Sequence, residues 1–487
     1  MNIVDPILFQ CQRQPPAPAI CVPGPGIGLI SYRRLEQFIH NISRRLVAVG
    51  VAPGNIVVVS IQDIIFHSAV LLALTRLGIT TMSVRADISS VPFPIDALIT
   101  EVTRSFANVA RVIPVDLSWT EGDGRPLESH FLHSGNSNDL CRIILTSGTT
   151  GEAKAVALSH RLLADRITRH LSMFGNRMAN YNRIYSDIPV SSSLGFQFLI
   201  YTLWRGGTMF FAGETFESTL RVFEEYKVQC MIASPGGFEV FLRGYNSIPQ
   251  QQSALELLFC GGDILSKSLS ERIRARMCSH LIAAYGSTEA SMTAATYAHS
   301  IENIPAAVGF ITPGNIVQIV DDTGRILPPG QEGLLRIRSE YAVTEYLNNS
   351  EESKKVFRNG WFYPGDIGAI DANNLLTITG REQSVLNVGG DKINPERIES
   401  VLTLMQGVTE AAAFTAPNPL GVNEICVAVV TGDAFDERMI REHCTARLPA
   451  SFVPTRIFKV DRLDRNEMGK IDRRKLLDLT KSANTNH

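Results

Sequence analysis

Ten residues, Leu145-Thr146-Ser147-Gly148-Thr149-Thr150-Gly151-Glu152-Ala153-Lys154, constrain this chain more than any other stretch. The glycines let backbone N–H groups close on a polyanion, the hydroxyls add donors, and Lys154 supplies a point charge. A Gly/Ser/Thr turn carrying a surface lysine is the plainer alternative. The Walker pattern G-x-x-x-x-G-K-[ST] does not fit, because no glycine precedes Lys154 and no Ser or Thr follows it. Arg142-Ile143-Ile144-Leu145 and Ala155-Val156-Ala157-Leu158 read as strands on either side, and a helix starts later, with Ser159 as its N-cap. The stretch is therefore a phosphate loop between two strands, not one packed on a helix terminus.

The surroundings have to supply an α/β scaffold, and they do. A helical pattern through Leu35, Ile39, Ile42 and Leu46 ends at Gly50, a Pro53-Gly54 turn follows, and then strand Ile56–Ser60. The rhythm recurs through Phe66–Leu77 and Arg111–Val115, as in a domain built on a parallel sheet. At 487 residues the chain has room for roughly two to four domains, and 45% apolar with 19% charged residues allows a sizeable core. A net charge of −2 argues against a nucleic-acid partner. The 8 cysteines form no C-x-x-C pair, which disfavours a zinc site or disulfide framework and suits a reducing, cytoplasmic setting. No basic leader and no uninterrupted membrane-length apolar run is evident.

Further along, Leu258-Phe259-Cys260 reads as a strand ending on Gly261-Gly262-Asp263. Leu281-Ile282-Ala283-Ala284 runs toward Tyr285-Gly286-Ser287-Thr288-Glu289, read as a tight glycine turn. An aromatic face, two hydroxyls and a carboxylate in five residues suit contact with a base, hydrogen bonds to phosphate, and one oxygen ligand for Mg²⁺. Residues 308–345 alternate strands with turns and suggest a strand-rich subdomain. The final hundred or so residues change to an α+β pattern, with helices over Lys392–Leu404 and Glu437–Leu448 and strands over Ala411–Thr415 and Glu424–Val430.

Taken in order, these motifs resemble the adenylate-forming enzymes: acyl-CoA synthetases, peptide-synthetase adenylation domains and luciferases. The resemblance rests on Thr146-Ser147-Gly148-Thr149-Thr150-Gly151-x-x-Lys154, Tyr285-Gly286-Ser287-Thr288-Glu289, Gly360-Trp361-x-x-Pro364-Gly365-Asp366, Gly389-Gly390-Asp391-Lys392-Ile393 and Gly469-Lys470-Ile471-Asp472-Arg473. It implies a large N-terminal domain over 1–382, with parallel-rich sheets, and a small mobile α+β domain over 383–487, hinged at Gln383. It implies ATP, Mg²⁺ and coenzyme A, or a carrier-protein phosphopantetheine, acting on a small carboxylic acid. Lys470, Lys154, Thr288 and Glu289 would be catalytic, with Glu289 on the metal. The loop from Thr146 to Gly151, together with Gly262, Asp263, Ala284, Tyr285, Gly286, Ser287, Asp366 and Arg381, would hold the nucleotide, Asp366 taking the ribose hydroxyls. Ser192, Phe196, Gly261, Ala283 and Val308 would line the acyl pocket, and Gly389 and Gly390 the thiol's path.

The chain departs from the family pattern at several places. Alanines flank Lys154, Asn55 and Gln383 replace charged residues, and Ser192 stands where acyl-CoA synthetases usually carry a histidine. Ser192 reads equally well as a helix N-cap. No carboxylate occupies the place that pairs with the amino group of an α-amino acid, which disfavours such substrates. Arg456, Lys459, Arg462, Arg465, Arg473, Arg474 and Lys475 form either a solvated face or a dock for CoA phosphates or an acidic carrier protein. The expected reaction is formation of an acyl-adenylate and then a thioester with CoA. The alternatives are a stand-alone loader of a carrier protein and a non-catalytic relative that binds nucleotide or acyl groups.

Overall fold

The computed structural model describes the chain except for residues 25–27, 103–104, 134, 148–152, 174–180, 246–253, 383–385, 389–390, 419–422, 433–435, 466–470 and 484–487. Two sheets organise the larger part. The first has the order Val112–Pro114, Ala97–Thr100, Ile56–Ser60, Thr80–Ser83, Leu140–Ser147, Ala153–Ser159. All its pairings are parallel except the last, the two arms of the phosphate loop. The unbroken Ile56-Val57-Val58-Val59 run suits a central strand, since both of its faces are covered. Helix Tyr32–Ala48 starts on Ser31, whose hydroxyl accepts from the Arg34 amide, and buries Leu35, Ile39, Ile42 and Leu46 completely.

The second sheet has fifteen strands among the described residues. Its parallel part runs Pro18–Cys21, Thr208–Phe210, Arg183–Ser186, Cys230–Ala233, Leu257–Gly261, Leu281–Ser287. It then turns antiparallel through Ser291–Tyr297, Ala307–Ile311, Leu375–Arg381, Asp366–Ile370 and Gly333–Ser339, a strand-rich portion that extends on both sides of the expected 308–345. The C-terminal part has its own three-stranded sheet, Val408–Pro417, Asn423–Thr431 and Arg456–Val460. Alternate residues of Val408–Pro417 feed two cores, one around Ile398, Leu402 and Ile440, the other around Phe414, Leu463 and Leu476. The fold is α/β with two sheets in the large part and an α+β C-terminal part. Among the described residues no helix is long and apolar enough to cross a membrane.

Two local expectations are corrected. The helix expected over Lys392–Leu404 is Pro395–Leu402, preceded by strand Asp391–Ile393. Pro395 crowds the residue before it out of helical geometry, and Asn394 is accordingly extended at φ −82, ψ 116. The turn expected at Gly286 lies further on: the strand continues to Ser287, with a bulge between Tyr285 and Gly286. Gly286 is needed for close approach, since a Cβ there would sit 2.3 Å from the Ser291 carbonyl oxygen.

Candidate active site

The arms of the phosphate loop pair Thr146 with Lys154 and Ser147 with Ala153, so the loop leaves and re-enters the sheet at one point. Gly148, Thr149, Thr150 and Gly151 lie outside the described residues. The Thr146 hydroxyl donates to the Lys154 carbonyl at 3.3 Å, and the Ser159 hydroxyl accepts from the Leu162 amide at 3.1 Å, capping helix His160–Met173. The side chain of Lys154 is buried. Its Nζ lies 2.9 Å from a Glu352 carboxylate oxygen and 5.3 Å from the centre of the Tyr346 ring. The Tyr346 hydroxyl donates to Glu289 Oε1 at 2.8 Å, so Glu352, Lys154, Tyr346 and Glu289 form one polar chain. Burial, then the Glu289 charge, pushes the Tyr346 phenol well up, keeping it a donor.

Tyr346 and Glu352 escaped the sequence reading. One local signal was available. In Asn349-Ser350-Glu351-Glu352 the Asn349 side chain accepts from the Glu352 amide at 3.1 Å, an ordinary N-cap that opens helix Ser350–Val356 and aims Glu352.

Thr288 and Glu289 occupy the turn after strand Leu281–Ser287, where the Ser287 hydroxyl accepts from the Ala290 amide at 3.1 Å. Fully buried Arg166 clasps this turn from behind, donating to the Thr288 carbonyl at 3.0 Å and the Glu289 carbonyl at 2.9 Å. Among the described residues no group of three His, Cys, Asp or Glu side chains could hold a metal ion.

Asp366 and Arg381 are register partners on antiparallel strands, and Arg381 Nε lies 2.8 Å from Asp366 Oδ1. The Tyr285 hydroxyl donates to Oδ2 of the same carboxylate, which is 3% exposed. Nearby Asp366 raises the Arg381 pKa, while burial first and Asp366 second push the Tyr285 phenol well up. Tyr285, expected to meet a base, here spends its hydroxyl on Asp366.

Gly261 and Ala284 are neighbours across two parallel strands, as are Cys260 and Ala283. A Cβ on Gly261 would touch Leu194 at 3.5 Å, which brings the 192–196 segment to the Gly-Gly turn. Gly262 has φ +96, the left-handed region that favours glycine. Asp263 meets the C-terminal part, with Arg465 Nη1 at 3.9 Å. Ser192 is an N-cap: its hydroxyl accepts from the Gly195 amide at 3.1 Å and donates to the Pro189 carbonyl at 2.8 Å. The other expected pocket residues are dispersed. Phe196 is 1% exposed in one core beneath the Arg142 guanidinium, Ala283 sits in a second, and Val308 packs against a third. Beside Ser192 opens a cleft of about 420 Å³ lined in part by Asp63, Asp187 and Glu214 and by no basic residue. Like charge makes it a poor seat for a substrate carboxylate.

Gln383, Gly389, Gly390 and Lys470 lie outside the described residues. Several of the C-terminal basic residues are engaged within their own part: Arg456 with Glu424, Arg465 with Glu410, Arg473 with Glu399, Lys475 with Asp464. Those ion pairs leave these four charges partly neutralised within the protein.

Residues 100–347 match the family model of AMP-binding enzymes, and residues 397–470 match that of the AMP-binding enzyme C-terminal domain. The chain is 25% identical to a 4-chlorobenzoate–CoA ligase of an Arthrobacter species, over 96% of this chain and 94% of that one. It is 24% identical to enterobactin synthase component E of Escherichia coli, over 92% and 89%. Among solved structures, an amide bond synthetase of Marinactinospora thermotolerans superposes with a TM-score of 0.79 at 24% identity, covering 98% of this chain and 99% of that one.

Proposed function

The chain belongs to the AMP-binding enzymes, and from that premise we propose that it joins a carboxylic acid to a thiol at the expense of ATP. The acid's carboxylate attacks the α-phosphorus, giving acyl-AMP and pyrophosphate, and the thiol of coenzyme A then displaces AMP. The observation that carries this reading is the buried polar chain linking Lys154 to Glu289 through Tyr346, directly at the arms of the phosphate loop. No side chain needs to act as nucleophile. Rate comes from positioning and from neutralising phosphate charge.

In this reading Lys154 and Thr288 meet the phosphates, Asp366 and Arg381 the ribose, and Tyr285, Ala284 and the Gly261-Gly262 turn the adenine side. Glu289 suits Mg²⁺. One of its oxygens takes the Tyr346 hydroxyl, no described residue bonds the other, and Mg²⁺ is commonly held by one or two carboxylates plus substrate phosphates. Bound there, the ion would neutralise phosphate charge. The domain boundary falls at 382/383 with Gln383 as hinge, Lys470 serving the first half-reaction and Gly389-Gly390 the second. The relative named enterobactin synthase component E favours a second reading, in which a carrier-protein phosphopantetheine replaces CoA.

A panel of aryl and aliphatic acids in ATP–pyrophosphate exchange tests the first step, and CoA or a holo carrier protein the second. Lys470→Ala should lower exchange by a factor on the order of 10² or more while sparing thioester formation from preformed acyl-AMP. Gly390→Leu should do the reverse, with Gly390→Ala retaining both. Exchange with free α-amino acids but with no simple organic acid would overturn the substrate assignment.

A further inference from the structure

The second strand of the phosphate loop, Ala153–Ser159, runs straight into helix His160–Met173, and Arg166 stands on that helix. Its guanidinium is fully buried; among the described residues its hydrogen-bond acceptors are all backbone carbonyls, and the carboxylate whose charge it feels most is that of Glu289, which it does not bond directly. Nη1 donates to Thr288 at 3.0 Å, Nη2 to Glu289 at 2.9 Å, and Nε and Nη2 to Tyr341 at 2.9 and 2.7 Å. A buried cation is a poor device for stability, since desolvation offsets most of what its bonds return. It is a good device for geometry, because a rigid fork of donors fixes several acceptors relative to one another.

The acceptors that it fixes are informative. Thr288 and Glu289 are the two residues expected at phosphate and metal, and the Glu289 carbonyl also accepts from the Val343 amide at 2.9 Å. Arg166 thus holds the backbone of this turn while Tyr346 holds the Glu289 side chain. Both tethers come from elements attached to the phosphate loop. Arg166 follows the outgoing strand in sequence, and Leu347, next to Tyr346, donates its amide to the Ala155 carbonyl at 2.9 Å on that strand.

We propose that Arg166 is a positioning residue for adenylate formation, locking the Thr288–Glu289 turn in register with the phosphate loop so that both meet the triphosphate as one unit. This rests on the ligase reading above. Arg166 touches no reacting atom in this scheme. Its contribution is to hold the turn at the spacing the first half-reaction requires, and the second, in which the triphosphate is gone, depends on it less.

The test uses Arg166→Met, which keeps length and loses every donor, and Arg166→Lys, which keeps the charge as a single point. Three quantities are measured on the full chain: ATP–pyrophosphate exchange, thioester formation from synthetic acyl-AMP and CoA, and backbone hydrogen exchange. Arg166→Met should lower kcat of pyrophosphate exchange by about 10- to 100-fold, the scale of a misplaced catalytic group, with the KM for ATP within about threefold. Thioester formation should stay within about threefold of wild type, and Arg166→Lys should fall between. Hydrogen exchange should quicken at residues 288–290 and stay slow in strand Cys230–Ala233. Exchange protection at 288–290 equal to wild type would overturn the proposal even if the ligase reading failed. So would equal loss in both half-reactions, or failure of both variants to fold, either of which would assign Arg166 to stability. A wild-type chain without pyrophosphate exchange on any acid would instead sink the ligase reading and the positioning role together.

Discussion

Lys154 already has a carboxylate partner within the protein: its ammonium lies 2.9 Å from Glu352, and both side chains are largely buried. Glu352 also receives Lys355, and the bonds from Lys355 and Lys154, in that order, hold its pKa below the usual carboxylate value. A triphosphate arriving at the loop would meet a lysine whose direction is set before binding. Such pre-orientation lowers the ordering cost of binding, while the triphosphate has to compete with Glu352 for the charge.

The first prediction separates the two members of this pair. Lys154→Ala should cut pyrophosphate exchange by a factor on the order of 10². Glu352→Gln keeps the cation and loosens its aim, so it should cost less than about tenfold in exchange while destabilising the fold by roughly 1–2 kcal/mol. Exchange rates and thermal melting check both. A Glu352→Gln enzyme slower than Lys154→Ala would mean that the glutamate itself acts on substrate.

Asp366 gives the second. Both its oxygens are engaged, by Arg381 and by Tyr285, so a ribose must share the carboxylate or displace the phenol. Asp366→Asn should raise the KM for ATP about tenfold or more, since hydrogen bonds to a charged group are worth roughly 1.5–3 kcal/mol. Tyr285→Phe should leave that KM within about threefold and cost about 1 kcal/mol of stability. The stability losses of Asp366→Asn and Tyr285→Phe should be less than additive, because both weaken the same contact. Full additivity in urea melts would contradict the contact.

Ser192 supplies the third. As an N-cap, its loss in Ser192→Ala should cost about 1 kcal/mol, with kcat and the order of preferred acids unchanged. Ser192→Asp caps as well and should restore the stability. A changed acid preference in Ser192→Ala, with no loss of stability, would return the residue to the acyl pocket.

Legibility followed how local each determinant was. The loop arms, the Gly-Gly turn and strand Ile56–Ser60 were readable because apolar runs and glycines act on their immediate neighbours. The N-cap at Ser159 was readable for the same reason. Arg166 was not, because its acceptors lie 122 to 175 residues away; its spacing from Leu162, Leu163 and Ile167 places it on the buried face but names no partner. Tyr346 reaches Glu289 across 57 residues. Phe196 was expected at a pocket wall and lies deep in a core, since one aromatic on an apolar helix does not reveal which face it takes. The start of the helix near Lys392 was misplaced for a local reason, the restriction that Pro395 puts on Asn394.

The last prediction concerns pH. Glu396, in the first turn of helix Pro395–Leu402, has its pKa pushed up to about 7, chiefly by burial and then by the like charge of Glu399. Arg473, 3.6 Å away, and Arg381, from the large sheet, oppose the shift without cancelling it. The Oε2 atom is buried and has no partner among the described residues. Between the unfolded value of 4.5 and about 7, the folded chain holds a proton at this site that the unfolded chain has released. The contribution of Glu396 to stability is therefore full below pH 4.5, falls as pH rises toward 7, and is flat beyond. Glu396→Gln cannot ionise and should escape that loss. Its stability relative to wild type should climb by on the order of 2 kcal/mol from pH 5 to pH 8 and then level off. Urea melts at pH 5, 6, 7 and 8 read this directly. A difference between the two proteins that does not change with pH would show that Glu396 ionises as freely in the fold as outside it.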